Sequence, residues 1–315
     1  MSKTTRNSCL LVLTALIWGV AFVAQSSGGN AVGPYTFNCI RNFLGAGALW
    51  AAMKPLDAMG LTRTGQMKNS EGKLDRRTLI IGGICCGLCL GIASNLQQVG
   101  IVIGDSVGKA GFLTACYIII VPLLGLFLGK RCFWNVWVGV LMTLGGLYLL
   151  CMTDGFTLQA SDLLLMACAL VFSLHILTID HFTPLVDGVR MSCIQFLVAG
   201  LISAVPMFLT EMRPWAGGMG DWLSALSVGA AWIPILYAGF CSSGIGYTLQ
   251  IIGQEDVNPT IASLLMSLES VFSVIAGALL LGERMSMREL GGCVLIFAAV
   301  VLAQLPVEEL RKKRS

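Results

Sequence analysis

A single acidic side chain lies near the middle of a long apolar stretch. The stretch 258–281 holds one ionisable residue, Glu269. About 20 apolar residues cross a bilayer core of ~30 Å as a helix, so Glu269 would sit well inside a membrane. A charge at that depth costs at least ~2.5–3.5 kcal/mol and usually faces a bundle interior or a wet cavity. Glu269 is predicted to bind a substrate amine or take up a proton; the alternative is a protonated acid hydrogen-bonded to a nearby Ser.

An internal repeat gives Glu269 a candidate partner. Shifting the first half of the chain by 153 residues places Cys116 on Glu269 and Lys109 on Ala262. Residues 262 and 269 share one helix face, so Lys109 and Glu269 project from equivalent faces of related helices. An ammonium opposite a carboxylate would suit a zwitterion such as an amino acid. The alternative for Lys109, close to the end of its span, is a side chain that reaches out to water.

Intramembrane amides and a histidine form a second group of candidates. Gln97 and Gln250 occupy equivalent positions of the repeat, and Asn95 and Gln98 adjoin the first of them. Such amides either join helices by hydrogen bonds or line a polar pathway. His175 could relay protons, or it could be a hydrogen-bonded interior histidine. Asn95, Gln97, Gln250 and His175 are therefore candidate substrate contacts.

Aromatic residues and one arginine complete the candidate set. Trp18, Tyr117 and Tyr247, with Phe22, could pack against an apolar or aromatic part of a substrate, although aromatics in bundles also serve simple packing. Arg41 lies about six residues from the outer end of its span. For Arg41 we favour an end-of-helix side chain that reaches the lipid headgroups.

Composition defines the setting of these residues. The 315-residue chain is 56% hydrophobic and 12% charged, whereas ordinary globular domains carry ~25% charged residues. It is therefore predicted to be an integral membrane protein. Most of its cysteines lie in or at the ends of apolar segments, so neither disulfides nor a metal site is expected, and no nucleic-acid surface is expected. Apolar windows predict ten spans, at 9–25, 35–53, 78–98, 106–128, 133–152, 162–179, 191–209, 230–252, 258–281 and 290–305.

Charge placement and the repeat predict the topology. Most Lys and Arg fall in the connections on the side of the N-terminus, which puts both termini in the cytoplasm. The repeat divides the chain into units at 1–153 and 160–306, followed by a basic cytoplasmic tail at 307–315. Five spans is an odd number, so the two units cross the membrane in opposite senses. Inverted repeats of this kind are typical of secondary transporters that bind substrate near the midplane.

Short motifs carry a resemblance to a known family. Asn258-Pro259, Leu268-Glu269-Ser270, Leu281-Gly282-Glu283-Arg284 and Gly291-Gly292 resemble the second repeat of EamA-type permeases, in the drug/metabolite transporter superfamily. The first half is similar more loosely, through Leu16-Ile17-Trp18-Gly19 and Leu128-Gly129-Lys130-Arg131.

The resemblance implies a ten-helix bundle in a bacterial cytoplasmic (inner) membrane that moves small metabolites, often amino acids and commonly outward. The family often has Glu-Pro where this chain has Glu269-Ser270. Because Ser keeps the backbone N–H, we expect less of a kink in the ninth helix.

The sequence thus predicts an all-α membrane protein that works as a secondary transporter, with no cofactor and no enzymatic activity. Glu269 allows proton coupling. The glycines at 145–146 and 291–292, in the fifth and tenth spans, fit either an outer wall or a homodimer face. Two alternatives remain: a membrane receptor that binds without moving its ligand, and an intramembrane enzyme. An enzyme would need clustered ionisable groups, and a receptor would not need two symmetric halves.

Overall fold

The computed structural model describes residues 3–59, 62, 75–104, 107–130, 133–151, 159–281, 286–303 and 305. Throughout these residues the regular structure is helical, with no strands. Arg131, residues 282–285 and the basic tail at 307–315 lie outside the described residues. The predictions that rest on these residues stay predictions. They include the last residue of the motif at 128–131 and the last three residues of the motif at 281–284.

The first half of the chain begins with three long helices and ends with three shorter ones. These are α1 (Lys3–Val32), α2 (Pro34–Ala58), α3 (Arg76–Ile103), α4 (Val107–Ala115), α5 (Tyr117–Phe127) and α6 (Trp134–Cys151). Helices α4 and α5 are separated by Cys116 alone and together form one rod.

The second half repeats this order with more interruptions. It contains α7 (Ala160–Phe182), α8 (Gly188–Pro206), α9 (Met219–Ser227), α10 (Gly229–Leu236), α11 (Thr248–Gly253), α12 (Pro259–Met266), α13 (Leu268–Leu281) and α14 (Met287–Ala303). A π-helical turn, Met207–Met212, extends α8, and an 11-residue π-helical segment, Tyr237–Tyr247, joins α10 to α11.

Among the described residues, seven helical stretches are long and apolar enough to cross a membrane, which confirms a multi-pass membrane protein. The other three predicted spans correspond to α2, α6 and α14. Each of these is helical but outside that set, with 25, 18 and 17 residues respectively.

Helix starts follow local sequence signals. The side chains of Asp75, Asp187 and Asn258 each accept a hydrogen bond from a backbone N–H in the first turn of α3, α8 and α12. Such caps satisfy N–H groups that have no partner within the helix. Pro259 occupies the first position of α12, where its missing N–H is not needed.

The ninth predicted span is interrupted in spite of its missing proline. Helix α12 ends at Met266, and α13 begins at Leu268 after a turn at Ser267. The hydroxyls of Ser263 and Ser267 donate to the carbonyls of Thr260 and Leu264, three residues earlier. Serine hydroxyls that bond back to the helix in this way compete with its backbone ladder and bend it. Ser267 is a one-residue irregularity like that at Cys116 in the first half, and the smaller kink expected without Glu-Pro stays a prediction.

The two halves pack as pseudo-symmetric partners. Helix α1 lies against α12 and α13, and its counterpart α7 lies against α4 and α5. Helix α3 packs on α8, and the equivalent π-helical segment packs on α2. The pairs α2–α8 and α6–α14 are each their own counterpart under exchange of the halves. The contact pattern is that of a two-fold exchange of two similar units.

Gly146 of α6 and Gly292 of α14 make a close contact inside the chain. A Cβ added at Gly146 would lie 2.8 Å from the carbonyl oxygen of Gly292, and one at Gly292 would lie 2.6 Å from that of Gly146. The two helices therefore cross at van der Waals contact of their backbones. Their other faces expose large apolar side chains such as Leu141 and Phe297, which suits a lipid-facing wall.

Candidate functional site

A central cavity lies between the two halves of the chain. Its walls come from α1, α2, α3, α4 and α5 on one side, and from α7, the π-helical segment, α11, α12 and α13 on the other. The structure brings most of the predicted site residues to this one cavity, namely Trp18, Gln97, Tyr117, His175, Tyr247, Gln250 and Glu269. Sequence reasoning did not propose Gln25, Thr114, Phe172 or Ser242, which also line it.

Glu269 occupies the first turn of α13, directly after the break at Ser267. It is 7% exposed, and the hydroxyl of Tyr117 donates to its Oε1 over 3.5 Å. That distance is beyond the usual range for an O–H···O hydrogen bond. The Ser263 and Ser267 hydroxyls are bonded to backbone carbonyls instead.

Helix α1 fixes the position of Glu269 through Gly19. A Cβ added at Gly19 would lie 2.7 Å from the carbonyl oxygen of Glu269 and 2.6 Å from Cβ of Phe272. Only a residue without a side chain lets the two helix backbones approach this closely. Trp18, the residue before it, then projects into the cavity.

Rings from α1, α7 and the π-helical segment form an aromatic wall of the cavity. The rings of Trp18 and Tyr247 are 4.6 Å apart, and those of His175 and Tyr247 are 6.1 Å apart. Trp18 donates its indole N–H to the carbonyl of Ser242 over 3.3 Å. The hydroxyl of Thr14 lies 3.0 Å from the carbonyl oxygen of Leu10 and 3.3 Å from that of Gly246. π-Helical turns are frequent at functional sites because they disturb the regular ladder. Here α1 binds to carbonyls of that segment.

The polar residues divide between the cavity and the helix contacts. His175 is fully buried, and its Nε2 lies 3.1 Å from Oε1 of Gln195. Gln250 lines the cavity, and its Oε1 has no hydrogen-bond partner among the described residues. Asn95 does not line the cavity. Its Oδ1 accepts from Asn38 over 2.9 Å and from Ser203 over 3.0 Å, so Asn95 joins α2, α3 and α8.

Arg41 is not at the headgroups. It is 3% exposed and lines the cavity, with its guanidinium carbon 5.5 Å from the centre of the Phe37 ring. Our expectation was wrong because it considered only how far along α2 Arg41 lies, and not which face of the helix its side chain occupies. Asn38, Arg41, Asn42 and Gly45 follow a spacing of three, four and seven residues, and all are buried. That polar stripe on one helix face is the signal in the sequence that identifies an inward-facing Arg41.

Lys109 belongs to α4 by its backbone, but its side chain lies outside the described residues. Its pairing with Glu269 across the cavity stays a prediction. Among the described residues, no group of three or more His, Cys, Asp or Glu side chains is placed to hold a metal ion.

Comparison with known proteins shows which family the chain belongs to. The model of the EamA-like transporter family matches residues 6–152 and again 159–305. The chain belongs to the EamA-like transporter family. It is 24% identical over 302 residues to an uncharacterized transporter of Archaeoglobus fulgidus, a match that covers 94% of this chain and 85% of that protein. One solved crystal structure shares the fold at a TM-score of 0.75 and 20% identity, over 95% of this chain and 96% of the other.

Family membership makes the protein a membrane transporter and not an enzyme. The two matched stretches show the two-repeat architecture of EamA-like transporters. The cavity between the halves is therefore the candidate substrate site of a transporter.

Proposed function

We propose that this EamA-like transporter moves a small polar metabolite, an amino acid or a related compound, outward across a bacterial cytoplasmic membrane. It has ten spans in two inverted five-helix repeats, with units at 1–153 and 160–306 and both termini cytoplasmic. The observation that carries the proposal is Glu269, a buried acid in a cavity built by both halves, with one weak hydrogen bond among the described residues. A bound ammonium group would supply the missing hydrogen bonds.

The lining of the cavity supports a small polar substrate with an apolar part. Gln97 and Gln250 offer amide groups, while Trp18 and Tyr247 offer aromatic surface. Small-molecule sites typically combine mostly apolar walls with a few placed polar groups. Glu269 also allows coupling to protons, because a carboxyl in an apolar site can exchange a proton for a substrate amine.

Ion pairs at one end of the bundle support alternating access. Lys130 contacts Asp180 at 2.7 Å, and Lys3 contacts Asp256 at 2.6 Å. These contacts join the start of α1, the residues after α5, the end of α7 and the turn between α11 and α12. In the proposed topology this end faces the cytoplasm. The contacts would close that side in the present conformation and break when it opens.

The test is uptake and efflux by purified protein in proteoliposomes, with a panel of L-amino acids and related amines, with and without a pH gradient. We expect wild type to move at least one compound. Glu269→Gln should abolish that transport or its response to the pH gradient. Glu289→Gln is the matched control, since it makes the same chemical change in the first turn of α14, where Ser286 donates to the Glu289 carboxylate over 2.7 Å.

Two results would count against the proposal. Equal transport by wild type and Glu269→Gln under every gradient would remove the role of this carboxylate. Failure of wild type to move any compound of the panel would overturn the proposed substrate class.

A further inference from the structure

Arg41 is a buried cation with no anionic partner among the residues that the structure describes. Its Nε has no hydrogen-bond partner, and among the described residues no carboxylate lies within ion-pair distance of its guanidinium. Buried charges in proteins are usually paired, because an uncompensated one is strongly destabilising. Arginine cannot escape this by losing its proton. A bound anion would supply the partner that the described residues do not.

The surroundings of Arg41 orient it for such a ligand. The Phe37 ring, 5.5 Å from the guanidinium carbon, covers one side of the group. The planar N–H fork of a guanidinium matches a carboxylate with two parallel hydrogen bonds. Arg41 lines the same cavity as Glu269. The cavity thus has a cation on its α2 wall and an acid on its α13 wall.

We propose that Arg41 binds the carboxylate of the transported metabolite while Glu269 faces its amine. The inference rests on the proposed transport function and narrows its substrate class to zwitterions of the amino-acid type. It assigns to Arg41 the role that the sequence suggested for Lys109. A simple amine would bring a second cation towards Arg41, and a dicarboxylate would bring a second anion towards Glu269. Unpartnered side-chain oxygens of Gln25 and Gln250 in the same cavity are acceptors for the substrate amine.

The test measures binding apart from transport. Thermal unfolding of the full chain in detergent is followed with each of a panel of L-amino acids and with the corresponding carboxamides, which keep the amine and lose the carboxylate. We expect at least one amino acid to raise the Tm of wild type and its carboxamide to leave it unchanged. Arg41→Gln should weaken that binding by about thirtyfold or more, and Arg41→Lys by less, because Lys keeps the charge but not the fork.

Arg288→Gln is the matched control. The Arg288 guanidinium also lies 5.5 Å from an aromatic ring, that of Tyr148, but Arg288 is exposed and away from the cavity. It should keep the wild-type response. Equal stabilisation of wild type by an amino acid and its carboxamide would overturn the inference, and this result needs no variant to fold. So would stabilisation by no amino acid, or an unchanged response in Arg41→Gln. If proteoliposomes then still transport an amine, the transporter proposal survives and only the role of Arg41 fails.

Discussion

Replacing Gly19 by alanine tests whether the contact between α1 and α13 sets the position of Glu269. An added Cβ would lie 2.6 Å from Cβ of Phe272, 2.7 Å from the carbonyl oxygen of Glu269 and 2.8 Å from the backbone nitrogen of Ser273. Favourable contacts between carbon atoms begin near 3.5 Å. The two helices must therefore separate by about 0.7–1 Å to admit one methyl group. Two of the three neighbours are backbone atoms and cannot turn away.

The expected loss of stability follows from two opposing effects. Overpacking a well-packed interior costs about 1–3 kcal/mol, and the backbone contacts place Gly19→Ala at the upper end. Alanine in a helix is about 1 kcal/mol more favourable than glycine. The net loss is then about 2 kcal/mol, which corresponds to a fall in Tm of roughly 4 °C. Transport should fall as well, because the displaced backbone is that of Glu269 itself.

The measurement is the Tm of purified protein together with transport in proteoliposomes. Gly47→Ala is the control, since Gly47 lies inside α2 and an added Cβ there meets no atom within 4 Å. Its Tm should equal or slightly exceed that of wild type. If Gly19→Ala matched this control in both Tm and transport, the close crossing would not position Glu269.

Three further substitutions test other contacts by their effect on Tm. Glu211→Gln should lower stability by about 1.5–3 kcal/mol, because the carboxylate accepts three hydrogen bonds at the N-terminus of α2; an unchanged Tm would contradict this capping role. Gly292→Ala should be clearly destabilising and its neighbour Gly291→Ala neutral, since only the former meets backbone of α6; equal effects would refute the close crossing. Asp180→Asn should change stability by less than about 1 kcal/mol, because Lys130, its partner, is half exposed; a much larger loss would show that the ion pair holds the fold.

The sequence was sufficient to predict those candidate site residues that stand out by their position within an apolar span or by the internal repeat. Glu269 could be found because an acid in the middle of an apolar run has few structural explanations. Gln97 and Gln250 could be found because the repeat places them at equivalent sites, and both line the cavity. The family and its two repeats were recognisable from short motifs spread over the whole chain.

Residues whose role depends on the helix face were harder to assign. Asn95 and Gln97 are two residues apart on α3, yet one joins helices and the other lines the cavity. Arg41 is close to the end of its span, and depth suggested lipid headgroups, but packing of α2 on α8 and the π-helical segment buries it. The one-residue irregularity at Ser267, beside hydroxyls that bond back to the helix, has no proline signal in the sequence.

The two charged groups of the cavity both break the pseudo-symmetry of the framework that holds them. Glu269 corresponds to Cys116 in the repeat, and Arg41 corresponds to Ile194. In the proposed mechanism the similar halves would provide two related packings, while the two ionisable groups come from α2 of one half and α13 of the other. Movement of one half against the other would change the distance between the two groups. A zwitterion that bridges Arg41 and Glu269 would then bind the two conformations with different affinity, and a ligand can shift a conformational equilibrium only through such a difference.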